Sequence, residues 1–215
     1  MLHIKLRLWL TALVSFVALA ALIGGGETGR AGAFPMQDAE RVLEIERYPK
    51  EPFELVDINV GTQSVKHTLK TKPRIPGSDW WRDVVTFREN NGWIKNVKIR
   101  LRNVSGKPIY GLTANFYFQS STEKLLFSMQ LTTTTRNLGL APLQPNEEVD
   151  VTVRDRLFDD TKNRIQQAGQ DIDSLPVSMS VDSASFSETL MWYRGFMVER
   201  DSENPNKWTP VKRQP

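Results

Sequence analysis

Between Val97 and Phe118 the chain twice alternates apolar and polar residues with a period of two, and nothing else in it limits the fold as sharply. In Val97-Lys98-Ile99-Arg100-Leu101-Arg102 each apolar residue is followed by a basic one. An extended strand of this pattern buries one face and carries Lys98, Arg100 and Arg102 on the other. After the polar turn Asn103–Pro108 the alternation resumes as Leu112, Ala114, Phe116 and Phe118, separated by Thr113, Asn115 and Tyr117. Two such runs joined by a Gly/Pro turn are adjacent antiparallel strands, or strands linked across a sandwich.

The rest of the chain extends this texture. Phe53, Leu55, Ile58 and Val60 mark a strand whose phase shifts near Val56-Asp57, as a bulge would shift it. Gln63–Lys70 pairs with that strand or extends it, and Lys72–Asp79, with two prolines and a glycine, is a loop. Further strands are expected over Leu125–Thr134, Val149–Val153, Val177–Phe186 and Leu190–Val198, with a short edge piece at Trp208–Val211. One stretch changes period: Leu157, Phe158, Thr161, Ile165 and Ala168 share a helical stripe, with Asp155 as N-cap and Gly169 as stop. The fold class that follows is all-β: an immunoglobulin-like antiparallel two-layer β-sandwich with one short connecting helix across an open end. A small open barrel is the alternative.

The amino terminus has a different character. Lys5 and Arg7 precede Leu8–Ile23, 16 residues without a charge, which is the pattern of an export signal. Because about 20 residues are needed to span a bilayer, the length favours cleavage over retention as a signal anchor. Ala18-Leu19-Ala20 and Ala31-Gly32-Ala33 are the two small-x-small sites. The expected organisation is a signal helix over 1–33, a linker over 34–52 with one or two helical turns in Gln37–Arg47, and the sandwich over 53–215. The address is thus exported: periplasmic, secreted or envelope-anchored, with membrane contact only through an uncleaved N-terminal segment.

Composition removes several functions. With no cysteine, disulfides, thiolate metal sites and thiol nucleophiles are out, and His67 is the only histidine beyond the signal. The formal charge is +3. Setting 1–33 aside subtracts Lys5, Arg7 and Arg30 from 28 basic residues and Glu27 from 25 acidic ones, leaving +1. A near-neutral body does not provide the concentrated positive surface that nucleic acid requires.

The run Val97-x-Ile99-x-Leu101-x-Asn103-x-Ser105-Gly106-Lys107-Pro108, then Leu112–Phe118, then Leu143-x-Pro145-x-Glu147-Glu148, resembles the immunoglobulin-like modules of exported bacterial proteins related to the FxLYD domain group. At the signature position the chain reads Phe116-Tyr117-Phe118-Gln119-Ser120. It is also similar to exported β-sandwich proteins of uncharacterised function that end in a Trp-containing strand and an Arg-Asp-x-x-x-Pro-x-x-Trp segment, here Arg200–Trp208. The resemblance spans about Phe53 to Trp208, and it implies a fold but brings no catalytic residues.

Motifs that suggest chemistry are incomplete. Ser121-x-x-Lys124 has the spacing of a serine acyl-transfer pair but falls in a hairpin tip without its partner motifs. Asp171-x-Asp173-Ser174 has alternate oxygens without the glycine and distal glutamate of a calcium loop. Asp155, Asp159 and Asp160 suit a helix start. Catalytic residues, cofactor and metal are therefore all read as none. Trp80, Trp81 and Trp208 could form an aromatic platform, while Trp93 and Trp192 suit the core. Lys98, Arg100 and Arg102 could meet an acidic partner or serve as a solubility row. The expected function is a non-enzymatic envelope module making structural or protein contacts. Its alternative is carbohydrate binding through the exposed tryptophans, and the third reading is a glycosidase with two carboxylates.

Overall fold

The two alternating runs fold into strands of different sheets. The computed structural model describes residues 38–71, 79–122, 124–134 and 141–211. The segment read as a signal helix lies outside them, as does most of the Lys72–Asp79 loop. Strands β1 (Ala39–Arg47), β2 (Phe53–Val60), β3 (Gln63–Ser64), β4 (Lys70–Thr71), β5 (Trp81–Glu89), β6 (Val97–Asn103), β7 (Gly111–Gln119), β8 (Leu125–Thr134), β9 (Glu148–Thr152), β10 (Val177–Ser185), β11 (Leu190–Tyr193), β12 (Phe196–Arg200) and β13 (Trp208–Pro210) follow in order, with helix α1 (Asp155–Gln167) between β9 and β10. The smaller sheet has the order β3-β2-β6-β9. The larger runs β13-β12-β11-β10-β1-β5-β4, with β7 on β10 and β8 on β7. The described residues are thus all-β apart from one α-helix and short 3-10 turns.

Each alternating strand supplies one face to a shared core. Val97, Ile99 and Leu101 of β6 are buried, as are Leu112, Ala114, Phe116 and Phe118 of β7. Together with Leu43, Ile45, Ile58, Met129, Met179 and Val181 they form a single apolar cluster between the sheets. Trp192 joins the layers by meeting Phe53 edge to face at 5.5 Å, and Trp93 meets Phe87 at 5.0 Å. Both tryptophans are core residues. The expected bulge in β2 falls between Leu55 and Asp57.

Asn103, fully buried at the end of β6, fixes the crossing between sheets. Its Nδ2 donates to the carbonyls of Lys107 (2.7 Å) and Leu143 (3.0 Å), and its Oδ1 accepts from the Ser105 amide (3.0 Å) and hydroxyl (2.7 Å). Its own backbone bonds to Glu147 O and Asn146 N. One amide therefore satisfies both the turn into β7 and the turn into β9. Burial without these partners would be costly.

Four expectations need correction. Ala39–Arg47, within the segment read as linker and helical turns, is a strand between β5 and β10. Its helix-forming Ala, Glu, Arg and Leu residues are overridden because Leu43 and Ile45 are buried on one face. The sheet is not wholly antiparallel, since β1 runs parallel to β10 from Leu43↔Val177 to Glu46↔Ser180. Leu190–Val198 is a hairpin rather than one strand, with positive φ at Arg194 (45°) and Gly195 (94°), as a type I′ two-residue turn requires. Asp155 is the first helical residue and not the cap; Arg154 holds the cap position without a side-chain bond. The helix stop does fall at Gly169, where the amides of Gly169 and Gln170 bond back to Gln166 O and Ile165 O, the Schellman arrangement. Buried Phe158, Thr161 and Ile165 face inward, and α1 packs against β8 and the 3-10 turns leading into β6 and β10. No helix among the described residues is long and apolar enough to cross a membrane.

Asn103→Ala is expected to lower the unfolding free energy by about 3 kcal/mol, because several buried backbone groups lose their partner. Urea denaturation would measure it, and a loss below about 1 kcal/mol would mean that water replaces the amide. A chain beginning at Phe53 lacks β1 and should show no cooperative thermal transition by circular dichroism, whereas one beginning at Met36 should retain it.

Candidate functional site

The outer face of the larger sheet, away from the apolar core, carries a buried polar cluster centred on Asp182. Alternation along β10 turns Val177, Met179 and Val181 toward the core and Ser178 and Ser180 away from it. A register shift between Val181 and Ser183 places Asp182 at a bulge. Bulges commonly re-aim a side chain. Here the carboxylate accepts four donors. Its Oδ2 takes Asn115 Nδ2 (2.6 Å), the Tyr117 hydroxyl (2.6 Å) and Arg194 Nη2 (2.9 Å), and its Oδ1 takes the Ser180 hydroxyl. Arg194 Nη2 also donates to the Tyr117 oxygen at 2.6 Å.

Arg194 occupies an unusual backbone position. Asn or Gly is favoured where a hairpin demands positive φ, and the arginine is held there by its side-chain contacts and by its amide, which donates to Asp182 O at 3.0 Å. The following Gly195 cannot be replaced without movement, since a Cβ there would lie 2.9 Å from Pro49 Cγ. The guanidinium also sits over the rings of Tyr193 (5.7 Å) and Tyr48 (6.0 Å). Tyr48 in turn donates to Glu46 Oε2 at 3.2 Å.

Burial and hydrogen bonding act oppositely on the acids of this cluster. Burial pushes the Asp182 carboxyl up, but donors from Arg194, Ser180 and Tyr117 outweigh it and hold the group below its ordinary range. Glu46 goes the other way: burial raises it, and the Tyr48 hydroxyl only partly opposes that. The Tyr117 phenol is raised to about 12, by burial and by its bond to Asp182. Asp182 is thus a fully occupied anion that anchors its neighbours rather than a free base.

Beside this cluster lies an open groove of about 530 Å³, lined by Glu46, Tyr48, Pro49, Asp79, Trp80, Arg194 and Phe196. Phe196 is 62% exposed, so an apolar ring stands at the hairpin tip. Trp80 is half-buried, with the Arg82 guanidinium 5.4 Å from its ring. Arg82 is itself paired with Glu44 at 3.1 Å.

The residues singled out from the sequence do not converge. Of the three tryptophans only Trp80 lines this groove. Trp81 stands opposite Arg47 in the β1–β5 ladder, 6.0 Å from its guanidinium, and Arg47 is engaged by Glu51 and Asp83. Trp208 lies on the edge strand β13, with Arg200 5.1 Å over its ring. Lys98, Arg100 and Arg102 do share one face of β6, but the neighbouring strands answer them. Arg100 Nε bonds Asp150 at 2.9 Å, Lys98 Nζ reaches the same carboxylate at 3.5 Å, and Arg102 contacts Glu148 at 2.7 Å and Glu54 at 3.1 Å. The row is therefore one half of an internal charge ladder. Hydrogen bonding to Arg100 is the main cause that holds Asp150 below its usual range. Asp173, suggested by calcium-loop spacing, instead accepts the Gly92 amide at 2.7 Å. Among the described residues no group of three or more acids and histidines could hold a metal ion.

Sequence reasoning missed Asp182 and Arg194. Two signals were present: a lone carboxylate within the otherwise uncharged Val177–Ser185, and a Gly195 dividing Leu190–Val198. No protein-family model matches the chain, and neither a curated protein nor a solved structure matches it.

The two acids predict opposite pH effects. Asp182 has a depressed folded pKa, so its contribution is present above its unfolded value of about 3.8 and is lost as pH falls through the lower folded value. Glu46 has a raised folded pKa, so it adds stability below about 4.5 that disappears as pH rises through the folded value. Denaturation series from pH 3 to 7 should show Asp182→Asn flattening the acid limb and Glu46→Gln flattening the limb above about pH 4.5. At neutral pH Asp182→Ala should cost about 2 kcal/mol, a figure kept low because Arg194 retains contact with solvent.

Proposed function

We propose that the chain is a non-enzymatic exported module of immunoglobulin-like type, which makes protein contacts in a bacterial cell envelope through the groove between Tyr48, Trp80 and Phe196. The observation that supports this most is the composition of the groove. Tyr, Trp and Arg dominate the energetics of protein interfaces, and Tyr48, Trp80 and Arg194 line one concavity beside an exposed Phe196. Arg194 is pre-positioned by Asp182, so little ordering is needed on binding. The export address rests on the basic and apolar segment Met1–Ile23. Nucleic acid is disfavoured as a partner by the near-neutral charge of the body.

A polysaccharide is the second reading, favoured by Trp80 with Glu46 and Asp79 in the same groove. It needs fewer tryptophans than a platform of Trp80, Trp81 and Trp208, of which only Trp80 lines this groove.

A photo-cross-linking residue at Phe196 in the full chain, in producing cells, should give a discrete envelope-protein adduct that Arg194→Ala abolishes. The same bands from a control at Glu203 would sink the assignment. Tryptophan fluorescence titrated with envelope polysaccharides separates the second reading, which fails if Trp80→Ala responds as the parent does. Turnover of an ester, peptide or glycoside that is lost in Glu46→Gln would overturn the non-enzymatic assignment.

A further inference from the structure

The edges of the two sheets are guarded unequally. An exposed edge strand offers a row of backbone donors and acceptors to any extended chain, and proteins blunt such edges by shortness, charge or proline. Strands β3 and β4 have two residues each. Strand β13 has three and ends in Pro210, and β9 carries Glu148 and Asp150. Strand β8 has none of these devices. Its ten residues, Leu125–Thr134, include no charge and no proline, and among the described residues it pairs only with β7.

Among the described residues, two concavities lie beside this edge. A cavity of about 730 Å³ lies between Ser128–Gln130 and the α1 residues Asp160 and Arg164, and a second of about 610 Å³ continues past Thr132. Helix α1, which packs against β8, leaves these two concavities between itself and the strand. Leu125, the first residue of β8, is 53% exposed.

We infer that β8 is a self-association seam, pairing antiparallel with the β8 of a second copy about a two-fold axis. The choice of a second copy follows from charge. An isologous strand pair sets residues of one strand opposite residues of the same strand, so a charged edge would confront its own charges. Edge β9, with two acids among its five residues, would repel itself. The uncharged β8 does not, and its Leu, Phe, Met and Thr content suits cross-strand pairing. A strand pair is small beside a standard interface, so the association is weak and best trapped covalently.

The absence of cysteine makes that trap clean. Ser128→Cys, Gln130→Cys and Thr132→Cys, introduced one at a time into the full chain and also mixed pairwise, would be oxidised and resolved on non-reducing gels. Only a residue at the axis meets its own copy at the spacing a disulfide accepts. One two positions away is displaced by four residues, about 13 Å along the strand. A linked dimer should therefore peak at one position or one mixture, about tenfold above the exposed control Glu203→Cys, and Ser128→Lys with Gln130→Lys should weaken association by about tenfold. Equal cross-linking at every position including the control, or none at any, overturns the inference. Should the lysine variant fail to fold by circular dichroism, the cysteine scan decides alone.

Discussion

The carboxamide of Asn103 is the interaction on which the arrangement of the two sheets depends. Between β6 and β7 the chain leaves the smaller sheet and enters the larger one, and a strand ending in the core exposes backbone groups to an environment with no water. Asn103 accepts two donors from Ser105 and gives two to Lys107 and Leu143, using every position an amide offers. Because Leu143 precedes β9, the same side chain also helps set where β9 begins. The resulting register places Arg100 opposite Asp150 and Arg102 opposite Glu148. The charge ladder on the outer face of β6 is thus a consequence of a buried neutral residue at its end.

The Asp182 cluster has a comparable role on the larger sheet, with a different chemistry. Asn103 ties backbone to backbone; Asp182 ties side chains from β7 and β10 to a hairpin tip. An arginine at positive φ is locally unfavourable, and the ionic contact with Asp182, together with rings on two sides, offsets that strain. Gly195 then lets the hairpin approach Pro49 closely. Arg194 in the groove is thus tied by hydrogen bonds to Asp182 and Tyr117, while Phe196 beside it is exposed. The proposed recognition would use this division: the charged group is held in place, while the apolar ring is exposed.

How much of this could be read from sequence follows from the range of the interactions. The alternation in β6 and β7 is local, and it correctly assigned Ile99, Leu101, Phe116 and Phe118 to the core and Lys98, Arg100 and Arg102 to the opposite face. The bulge near Val56 and the stop at Gly169 were also legible, because each has a local cause. Strand β1 was not, since Ala39–Arg47 has the composition of a helix and becomes a strand only through neighbours at β5 and β10. The groove was less legible still. Tyr117 and Arg194 are 77 positions apart, and nothing near either residue announces the other. The type of Trp80 marks it out in the sequence, but its separation from Trp208 on β13 is set by the sheet order.

Strand order also separates the proposed groove from the proposed seam. The groove draws on β1 and the β11–β12 hairpin, which lie on one side of β10, whereas β8 lies on the other side beyond β7. Pairing through β8 therefore leaves the groove of each copy unobstructed by the ladder itself. Two weak sites carried on one assembly bind a surface or a repetitive partner more strongly than either does alone, by an effective-concentration effect that requires no new contact. For a partner that is confined or repeated, such a seam would turn a shallow groove with few anchoring residues into a stronger attachment point. The uncharged edge then has a physical reason to lack the guards that the other edges carry.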